Sequence, residues 1–381
     1  MEYQVDCRWF SGYKPCRHKR GCVGCPHFAP VGQRIAILSL EAMGAVLRST
    51  CLLPAIKRQF PDAHITWISL PQNSALLRNN SFIDRLIVLN ESSQALVKYL
   101  HFDKLYAVDK SLAAGALAEE ISAKEKYGFG LSRSGIIRPL NPEAHYQYEV
   151  GLDDSLKFFR NQKPETQQIT ETMALPWQRD PYILELTAEE KSEVSRRRQQ
   201  LLAVAPGTQG IIGYNTGCSE LFPYKKFTIS RAKELIATWR RNFPNQVIAL
   251  LGGGGGDQQR QQAMKAAFAA DPLVVDTPCL EGLRSGILWE ASVDLVFTGC
   301  TLGMHIAIAL EKKVIAWFGV SCAQEVDLYD RGIKLKAEVS CTPCWKKSCT
   351  QTSKCFDQVS LAAVQEATAH LIGEKLSQLS S

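Results

Sequence analysis

Residues 292–329 read SVDLVFTGCTLGMHIAIALEKKVIAWFGVSCAQEVDLY, and this stretch decides the fold class. Its apolar runs predict a short buried strand at 294–297, a buried helix at 303–310 and a second buried strand at 314–318. The small and polar residues at 298–301 predict a tight turn between the first strand and the helix. A strand, a turn, a helix and a strand in this order make up the repeating unit of a parallel sheet.

The start of the predicted helix has the features of an anion site. Thr301 can cap the helix, because a threonine hydroxyl accepts a hydrogen bond from an amide of the first turn. The small residues around it let an external group come close, and helix amides together with the helix dipole attract phosphate. His305, in the first turn, adds a further donor. The alternative is an ordinary strand-to-helix turn that binds nothing and holds a core histidine.

Length and charge narrow the class of protein. The chain has 381 residues, 45% of them hydrophobic, and a net charge of +6. This length fits two domains of common size. The modest positive charge favours anionic ligands or a membrane surface, whereas no dense basic run interleaved with aromatics points to nucleic acid. Neither a transmembrane helix nor a signal peptide is indicated. We therefore expect a cytosolic protein, with peripheral attachment to the inner face of a membrane left open.

The first half of the chain alternates strands and helices. Apolar runs predict strands at 34–40, 65–70, 84–89 and 105–108, and helices at 45–60 and 112–121. This alternation predicts a doubly wound parallel sheet, in which ligands bind beyond the carboxyl ends of the strands. Gly44, Asp109 and Lys110 are expected at that edge.

The second half repeats this architecture without a visible sequence repeat. Strands are predicted at 211–217, 247–251 and 274–276, and helices at 188–202, 228–243, 283–290 and 361–376. The run Gly252–Gly256 allows close backbone approach to a ligand or forms a flexible turn, and it lacks the spacing of a GxGxxG motif. We therefore predict an α/β protein of two Rossmann-like domains facing a cleft. The predicted divisions are a cysteine-rich segment at 1–31, a first domain at 32–205, a second domain at 206–360 and a helix at 361–381 that packs back.

The segment 128–175 is polar, aromatic and rich in turn residues. Six of its side chains stand out as acceptor-facing candidates, with coverage of a domain edge as the alternative interpretation. These residues are Tyr146, Tyr148, Asp153, Asp154, Lys157 and Arg160.

Eight of the thirteen cysteines fall into two clusters, each able to supply four thiolates to one metal ion. The first cluster is Cys7, Cys16, Cys22 and Cys25, with His18 and His27 as spare ligands. The second is Cys341, Cys344, Cys349 and Cys355. In a reducing compartment a structural zinc or iron site is the main prediction for each, with free thiols or disulfides as alternatives. The other five cysteines are expected to be buried as small hydrophobic residues.

Several segments resemble glycosyltransferase family 9, the heptosyltransferase-like enzymes with the GT-B fold. They are RIAILSLEAMGAVLRSTCLLPAIKRQFPDAHITWIS, NTGCSELFPYKKF, GLRSGILWEASVDLVFTGCTLGMHIAIAL, WFGVSCAQEVDLY and CTPCWKKSC. The resemblance covers nearly the whole chain from residue 32, and the cysteine-rich start is similar to an extension in one branch of the family. It implies inverting transfer of a sugar, such as heptose from ADP-heptose, to a hydroxyl of a glycan (lipopolysaccharide-type) or of a protein. It also implies that related protein heptosyltransferases bind iron through cysteines like those of the second cluster.

The same resemblance implies which residues bind the donor. Thr216 and Gly217 would line the pocket, and Lys225 or Lys226 would contact the diphosphate. Glu281 would lie near the nucleoside, together with Leu283 and the glycines after Leu251. The phosphates would lie against the helix start, which comprises Thr301, Leu302, Gly303, Met304 and His305. Fixed cationic and amide donors suit an anionic leaving group.

Two departures from the family pattern affect the chemistry. Gly44-Ala45-Val46 stands where the family has Gly-Asp-Val, with Asp as the base, and Gly299-Cys300 stands where it has Gly-Asp. Alanine cannot accept the acceptor proton, which an inverting transfer must remove. Asp109 is our candidate replacement and Glu41 the second, while a helix N-cap is the ordinary role for Asp109. Two other functions compete with transfer. One is an inactive protein that binds sugar nucleotides or acts as a scaffold, and the other is a redox or metal sensor.

Overall fold

The described part of the chain, residues 3–373 of a computed structural model, divides into two compact units, each built on its own sheet. The first unit holds the residues up to Leu152 together with Thr166–Asp180. The second holds Asp153–Glu165 and the described residues from Pro181 onward. Residues 181–205, assigned to the first domain in the sequence analysis, therefore group with the second unit.

The first sheet has the strand order β3-β2-β1-β4-β5-β6, and its strands run parallel except for the antiparallel pair β5 and β6. Its strands are β1 (Arg34–Leu38), β2 (His64–Ser69), β3 (Arg85–Val88), β4 (His101–Ala107), β5 (Ser122–Leu131) and β6 (Ile137–Pro139). The strand order reverses between β1 and β4. In register at this point, Ile37 lies beside Tyr106, and both are buried.

The helices of the first unit include the one predicted at 112–121, together with several that were not predicted. They are α1 (Met43–Ser49), α2 (Leu52–Gln59), α3 (Ser74–Leu77), α4 (Glu91–Tyr99), α5 (Leu112–Glu120), α6 (Ala144–Leu152) and α7 (Glu165–Thr172). The single helix predicted at 45–60 is wrong, because it is divided between α1 and α2. Pro54 has no N–H to donate to the carbonyl of Thr50, and the Thr50 hydroxyl instead donates to the carbonyl of Leu47 at 2.6 Å.

The segment 128–175 contains more regular structure than its composition suggested. It holds the end of β5, β6, α6, a π-helical turn at Leu156–Arg160, and α7. Only part of its apolar residues join the core: Phe129, Val150 and Ile169 are buried, whereas Ile136, Leu152 and Phe159 are exposed. The residues of the π-helical turn belong to the second unit.

The second sheet is parallel throughout, with the order β12-β11-β10-β7-β8-β9. Its strands are β7 (Gly210–Asn215), β8 (Gln246–Leu251), β9 (Val274–Asp276), β10 (Leu295–Gly299), β11 (Lys313–Phe318) and β12 (Gly332–Lys336). Aromatic rings fill the core on one face, where Phe297 contacts Tyr214, Phe227 and Trp239 with ring centroids 5.4–5.6 Å apart. The strand order reverses between β7 and β10.

Six helices flank this second sheet in the described residues. They are α8 (Ala188–Leu202), α9 (Ile229–Asn242), α10 (Gly255–Lys265), α11 (Leu283–Ala291), α12 (Leu302–Ala309) and α13 (Leu361–Ile372). The last helix packs back as predicted, with Trp239 Nε1 donating to Thr368 Oγ1 at 3.0 Å. It was expected to reach residue 376, and residues 374–376 lie outside the described part of the chain.

The predicted fold class, α/β with two parallel-sheet halves, is confirmed. Both sheets place their first strand beside their fourth, which is the doubly wound order with a ligand-binding point at the reversal. Over residues 3–373, none of the helices combines the length and apolar character that crossing a bilayer requires.

Candidate functional site

The carboxyl edge of the second sheet brings together the ends of β7 and β10. Asn215, the last residue of β7, donates through Nδ2 to Thr301 Oγ1 at 2.7 Å and to Thr298 Oγ1 at 3.0 Å. These bonds tie the first strand of the unit to the turn that leads into α12. The site therefore lies at the point where the strand order reverses, the usual ligand position in such sheets.

Close packing at this edge requires glycine. A Cβ on Gly299 would lie 2.1 Å from the carbonyl oxygen of Lys225, and a Cβ on Gly303 would lie 2.3 Å from Asn215 Nδ2. The backbone of Lys225 therefore passes directly against the end of β10. Both distances are shorter than any real Cβ contact. Glycine at these two positions therefore allows the Lys225 backbone to pack on Gly299 and allows α12 to pack on Asn215.

The predicted capping role of the Thr301 hydroxyl is wrong, although Thr301 does occupy the N-cap position with an extended backbone. Its side chain caps no amide of α12 and instead accepts the hydrogen bond from Asn215. The first amides of a helix have no partner within the helix, so an external acceptor can satisfy those of Leu302, Gly303 and Met304.

The side chains of α12 point mostly into the protein. Met304 is fully buried, and His305 is nearly so, with its ring 5.8 Å from the ring of Tyr182. Leu302 is half-buried. The side chain of His305 therefore packs in the interior, and the backbone of the first turn is the part of α12 that can meet a ligand.

The two lysines after β7 differ in their surroundings. Lys225 Nζ lies 4.2 Å from the centre of the Trp345 ring and 5.0 Å from that of Phe222. Lys226 Nζ is 3.2 Å from the carboxylate of the exposed Glu220. Lys225 is thus held by aromatic rings and forms no ion pair within residues 3–373, whereas Lys226 has a carboxylate partner.

The pocket residues next to β7 are ordered by backbone contacts. The buried Thr216 hydroxyl donates to the carbonyl of Leu251 at 3.0 Å. Gly217 lies against Asp257, where a Cβ would come within 2.1 Å of the carboxylate, and Asp257 accepts from the amide of Gly253 at 2.9 Å. Burial raises the pKa of Asp257, and the Gly253 amide opposes that shift. The glycine run is thus anchored, and its later part begins α10.

Glu281 lies before α11 with its side chain about half exposed. It accepts from the Ser285 hydroxyl at 2.6 Å and lies 3.9 Å from Arg197 Nη2. Leu283 is the first residue of α11. These contacts are local to α8 and α11.

Asp109 follows β4 in the first unit, also at a reversal of strand order. Its Oδ2 accepts from the amides of Leu40 and Glu41, the latter at 3.1 Å, and its Oδ1 lies 3.5 Å from the Ser39 hydroxyl. Burial raises the pKa of Asp109 to about 6, although the two amides lower it and the charge of Glu41 adds to the rise. The carboxyl group caps no helix, since Ser111 caps α5, so the N-cap alternative is wrong.

Comparison with known proteins shows which solved structures share this fold. No protein-family model matches the sequence, and neither does any curated protein. A family 9 glycosyltransferase structure from Veillonella parvula superposes with a TM-score of 0.69 at 17% identity, covering 90% of this chain and 98% of that one. The Escherichia coli ADP-heptose lipopolysaccharide heptosyltransferase II gives 0.66 at 14% identity, covering 89% and 98%. The chain has the fold of the family 9 glycosyltransferases.

A third solved structure with this fold is the iron-containing dodecameric glycosyltransferase TibC from enterotoxigenic E. coli. It superposes with a TM-score of 0.51 at 10% identity, covering 90% of this chain and 77% of that one. At these identities the superpositions establish a shared fold, and activity has to be argued from the residues present.

The two departures from the family motif lie in different surroundings. Ala45 is in the first turn of α1, after Ala42 with its positive φ of 56°. Cys300 is half-buried between β10 and α12. Asp109 is the buried carboxylate that lies at the same edge of the first sheet as Ala45, and Glu41 is exposed there.

The second cysteine cluster gathers around one cavity of about 280 Å³, to which all four of its cysteines contribute. Burial raises the pKa of Cys355 to about 11, and the charges of the other three add to that rise. A four-thiol set suits zinc or iron in number and softness. The thiols are free, and within residues 3–373 no three His, Cys, Asp or Glu side chains come together closely enough to hold an ion.

The first cluster lines a cavity of about 450 Å³ in the first unit. Cys7, Cys16, Cys22 and Cys25 all contribute to it, together with His18 and His27, whose rings stack 4.0 Å apart. An antiparallel bridge between Cys7 and Pro30 joins the two ends of the segment. Of the five scattered cysteines, Cys51, Cys279 and Cys322 are buried as expected, whereas Cys218 and Cys300 are half-buried.

Sequence reasoning missed three residues that build the second-unit site. Asn215 ties β7 to Thr301, Asp257 supports the glycine run, and Trp345 holds Lys225. Asn215 and Trp345 stand inside motifs that we singled out, NTG and CTPCW, but their partners are remote in sequence. Asp257 directly follows the glycines, and its position in the first turn of α10 was the available signal.

Proposed function

We propose that this protein is an inverting glycosyltransferase that uses a nucleoside-diphosphate sugar as donor. The observation that carries the proposal is the convergence of the α12 amides with the backbone of Lys225 at the strand reversal of the second sheet. In a chain with the family 9 glycosyltransferase fold, this is an arrangement suited to a diphosphate.

In this proposal the second unit binds the donor. The amides of Leu302, Gly303 and Met304 hold phosphate oxygens, and Lys225 neutralises the charge that grows on the leaving diphosphate. Lys226 is the alternative cation, but a diphosphate would have to compete with Glu220 for its ammonium group. Thr216, Gly217 and Glu281 line the nucleoside side, while Thr301 and His305 shape α12 from within.

The acceptor proton goes to Asp109 in this proposal. A carboxyl group with a pKa of about 6 is ionised at neutral pH and is a stronger base than an ordinary aspartate. Its Oδ2 is occupied by two amides, so Oδ1, beside the Ser39 hydroxyl, is the oxygen that would take the proton. Glu41 is the second candidate.

The substrates proposed follow from the solved neighbours. Heptosyltransferase II and the heptosyltransferase WaaC, both from E. coli, are among them, and WaaC was solved with ADP. We therefore propose ADP-heptose or a related nucleotide sugar as the donor, and a hydroxyl group of a glycan or of a protein as the acceptor.

The cysteine cavities are proposed to hold structural metal ions. Cys341, Cys344, Cys349 and Cys355 would hold one, and Cys7, Cys16, Cys22 and Cys25 the other, with zinc or iron as the candidates. Each ion would crosslink a loop that is poor in core residues and so stabilise it.

Ala45 and Cys300 favour one second candidate, a sugar-nucleotide-binding protein without transferase activity. Ala45 cannot accept a proton, and the thiol of Cys300 is a poor substitute for a carboxylate. The two candidates share donor binding and differ in turnover.

A donor screen followed by transfer assays tests the proposal. Nucleotide sugars are first ranked by thermal shift, since a ligand that binds the native state raises its stability. Asp109→Asn is expected to lower transfer by roughly 100-fold or more while leaving donor binding intact, and the wild-type rate is expected to rise with pH through about 6. Glu41→Gln is the matched control and should retain activity.

The outcomes separate the candidates. Donor binding without turnover supports the inactive protein, loss of activity in Glu41→Gln alone assigns the base to Glu41, and a protein that binds no nucleotide sugar contradicts the proposed function.

A further inference from the structure

One tryptophan ring in the second unit contacts two lysine side chains. Trp345 has Lys225 Nζ at 4.2 Å and Lys157 Nζ at 4.6 Å from its ring centre. Phe222 packs edge-on against the same ring, with centroids 5.5 Å apart and planes at 83°. At these distances an ammonium group is attracted to the face of an aromatic ring.

Lys157 reaches this ring from the π-helical turn Leu156–Arg160, which precedes the main body of the second unit in sequence. Gln324 fixes that turn, because its Nε2 donates to the carbonyls of Lys157 and Phe158 at 3.2 Å each. Gln324 follows β11, the strand beside β10. Lys157 is therefore held on the carboxyl side of the same sheet that carries α12.

Trp345 is fixed to that edge by its backbone. The amides of Cys344 and Trp345 both donate to the carbonyl of Val320, at 3.1 and 2.9 Å, just after the end of β11. Gly319 lies so close to Cys355 that a Cβ would come within 2.6 Å of its sulfur. The loop that carries the second cysteine cluster is thus docked on the strand end, and its tryptophan is held in place.

Both side chains carry a positive charge next to the same ring. Within the described residues neither Lys157 nor Lys225 forms an ion pair with a carboxylate, whereas neighbouring Lys226 pairs with Glu220. Two positive charges held at one ring attract an anion that carries two negative charges. A diphosphate has that charge distribution.

We propose that Lys157 is a second diphosphate-binding cation of the donor site, and that Trp345 is the positioning residue that holds Lys157 and Lys225 as a pair. This inference rests on the proposed function, since it assigns a further cation to the same diphosphate. It gives a role to a side chain that the sequence placed only among acceptor-facing or domain-edge candidates.

The test measures binding of nucleoside 5′-diphosphates and the matching monophosphates, with adenine, uracil and guanine bases, by calorimetry on the full chain. Lys157→Met is expected to weaken diphosphate binding about tenfold and monophosphate binding much less. Lys157→Arg should restore most of the affinity, because it keeps the charge. Lys191→Met, an exposed lysine on α8, is the matched control and should bind as the wild type does.

Trp345 is tested by its coupling to the lysine. Trp345→Leu should lower diphosphate affinity, and Trp345→Phe should retain part of it because a ring face remains. In the Trp345→Leu background, Lys157→Met should reduce diphosphate affinity by a smaller factor than it does in the wild type. If Trp345→Leu fails to fold, the Phe variant and its cycle with Lys157→Met still decide the question.

Two results would overturn the inference, and they are distinguishable. If a diphosphate binds wild type and Lys157→Met equally but binds Lys225→Met weakly, Lys157 has no part in the site and the proposed function stands. If wild type binds none of the diphosphates, both the inference and the proposed function fail.

Discussion

At the scale of single residues, Asp109 combines an unusual environment with a proposed chemical role. Folding raises its pKa from the ordinary value of 3.8 to about 6, mainly through burial. Between these two values the folded protein binds the proton more tightly than the unfolded chain does. The contribution of this group to stability is therefore full below the ordinary pKa and is lost as the pH rises through about 6.

We expect the free energy of unfolding to reveal this loss when wild type is compared with Asp109→Asn. The asparagine does not titrate and keeps an oxygen for the amides of Leu40 and Glu41. As the pH rises from 4 to 7, wild type should lose on the order of 2 kcal/mol relative to the variant. Denaturant titrations at several pH values measure this difference, and parallel pH profiles would mean that Asp109 titrates normally.

Gly299 offers a second residue-level prediction. A methyl group there would collide with the carbonyl oxygen of Lys225 at 2.1 Å, so Gly299→Ala must displace the lysine loop. We expect roughly a tenfold loss of nucleoside-diphosphate affinity, with a stability cost of about 1–3 kcal/mol. Calorimetry measures the affinity.

Gly286→Ala is the matched control for that substitution. Its nearest neighbour would be an ordinary contact at 3.8 Å, within α11, where alanine favours the helix. Wild-type affinity in Gly299→Ala would show that the position of Lys225 does not depend on this contact.

At the scale of elements, the start of α8 joins a local signal to a remote partner. Thr187 and Glu190 form a reciprocal capping box, and the carboxylate of Glu190 also binds Arg284 of α11, with Nε to Oε1 at 2.7 Å. Both charged side chains are largely buried. The capping box stabilises the start of α8, and the ion pair fixes α8 to α11 within the second unit.

Removing that carboxylate should lower stability, because Arg284 would lose the negative charge that balances its buried guanidinium. We expect Glu190→Ala to lower the free energy of unfolding by about 3 kcal/mol, whereas Glu189→Ala, one residue earlier and exposed, should change it by much less. Thermal and denaturant unfolding give both values. Equal effects of the two substitutions would rule out the buried pair as the cause.

The cysteine loops are the elements whose stability depends on the proposed metal ions. Elemental analysis of wild type should find one ion per cluster. The double substitution Cys344→Ser with Cys349→Ser should remove one of them, and Cys16→Ser with Cys22→Ser the other, each with a lower melting temperature. A wild-type protein that carries no metal, with melting temperature unaffected by chelators, would contradict both sites.

At the scale of the whole molecule, the donor is proposed to bind residues of the second unit alone. A saturating nucleoside diphosphate, at 100 times its dissociation constant, should stabilise the native state by about 2.7 kcal/mol. Hydrogen exchange should show the protection at 156–160, 215–225 and 298–305. Protection confined to the first unit would place the nucleotide elsewhere.

Much of the fold could be predicted because its signals are local. Strands buried on both faces need continuous apolar runs, so β7, β8, β10 and β11 were identifiable from short windows. The bounds of α8 were predicted as observed, Ala188–Leu202, since its cap lies within four residues. The break between α1 and α2 was missed because the apolar face continues across it, and the short elements within 128–175 were missed because they have little apolar periodicity.

The site was only partly predictable, for a physical reason. The helix start proposed to bind phosphate and the lysines of YKKF lie inside recognisable motifs, so the sequence by itself determined two parallel-sheet halves and one candidate anion site. Only the tertiary structure decided that Asn215 holds Thr301, that Asp109 bonds the Leu40 loop, and that Lys157 and Lys225 share the ring of Trp345. Those contacts join residues far apart along the chain. Their geometry depends on strand order and loop docking, which no local pattern of side chains contains.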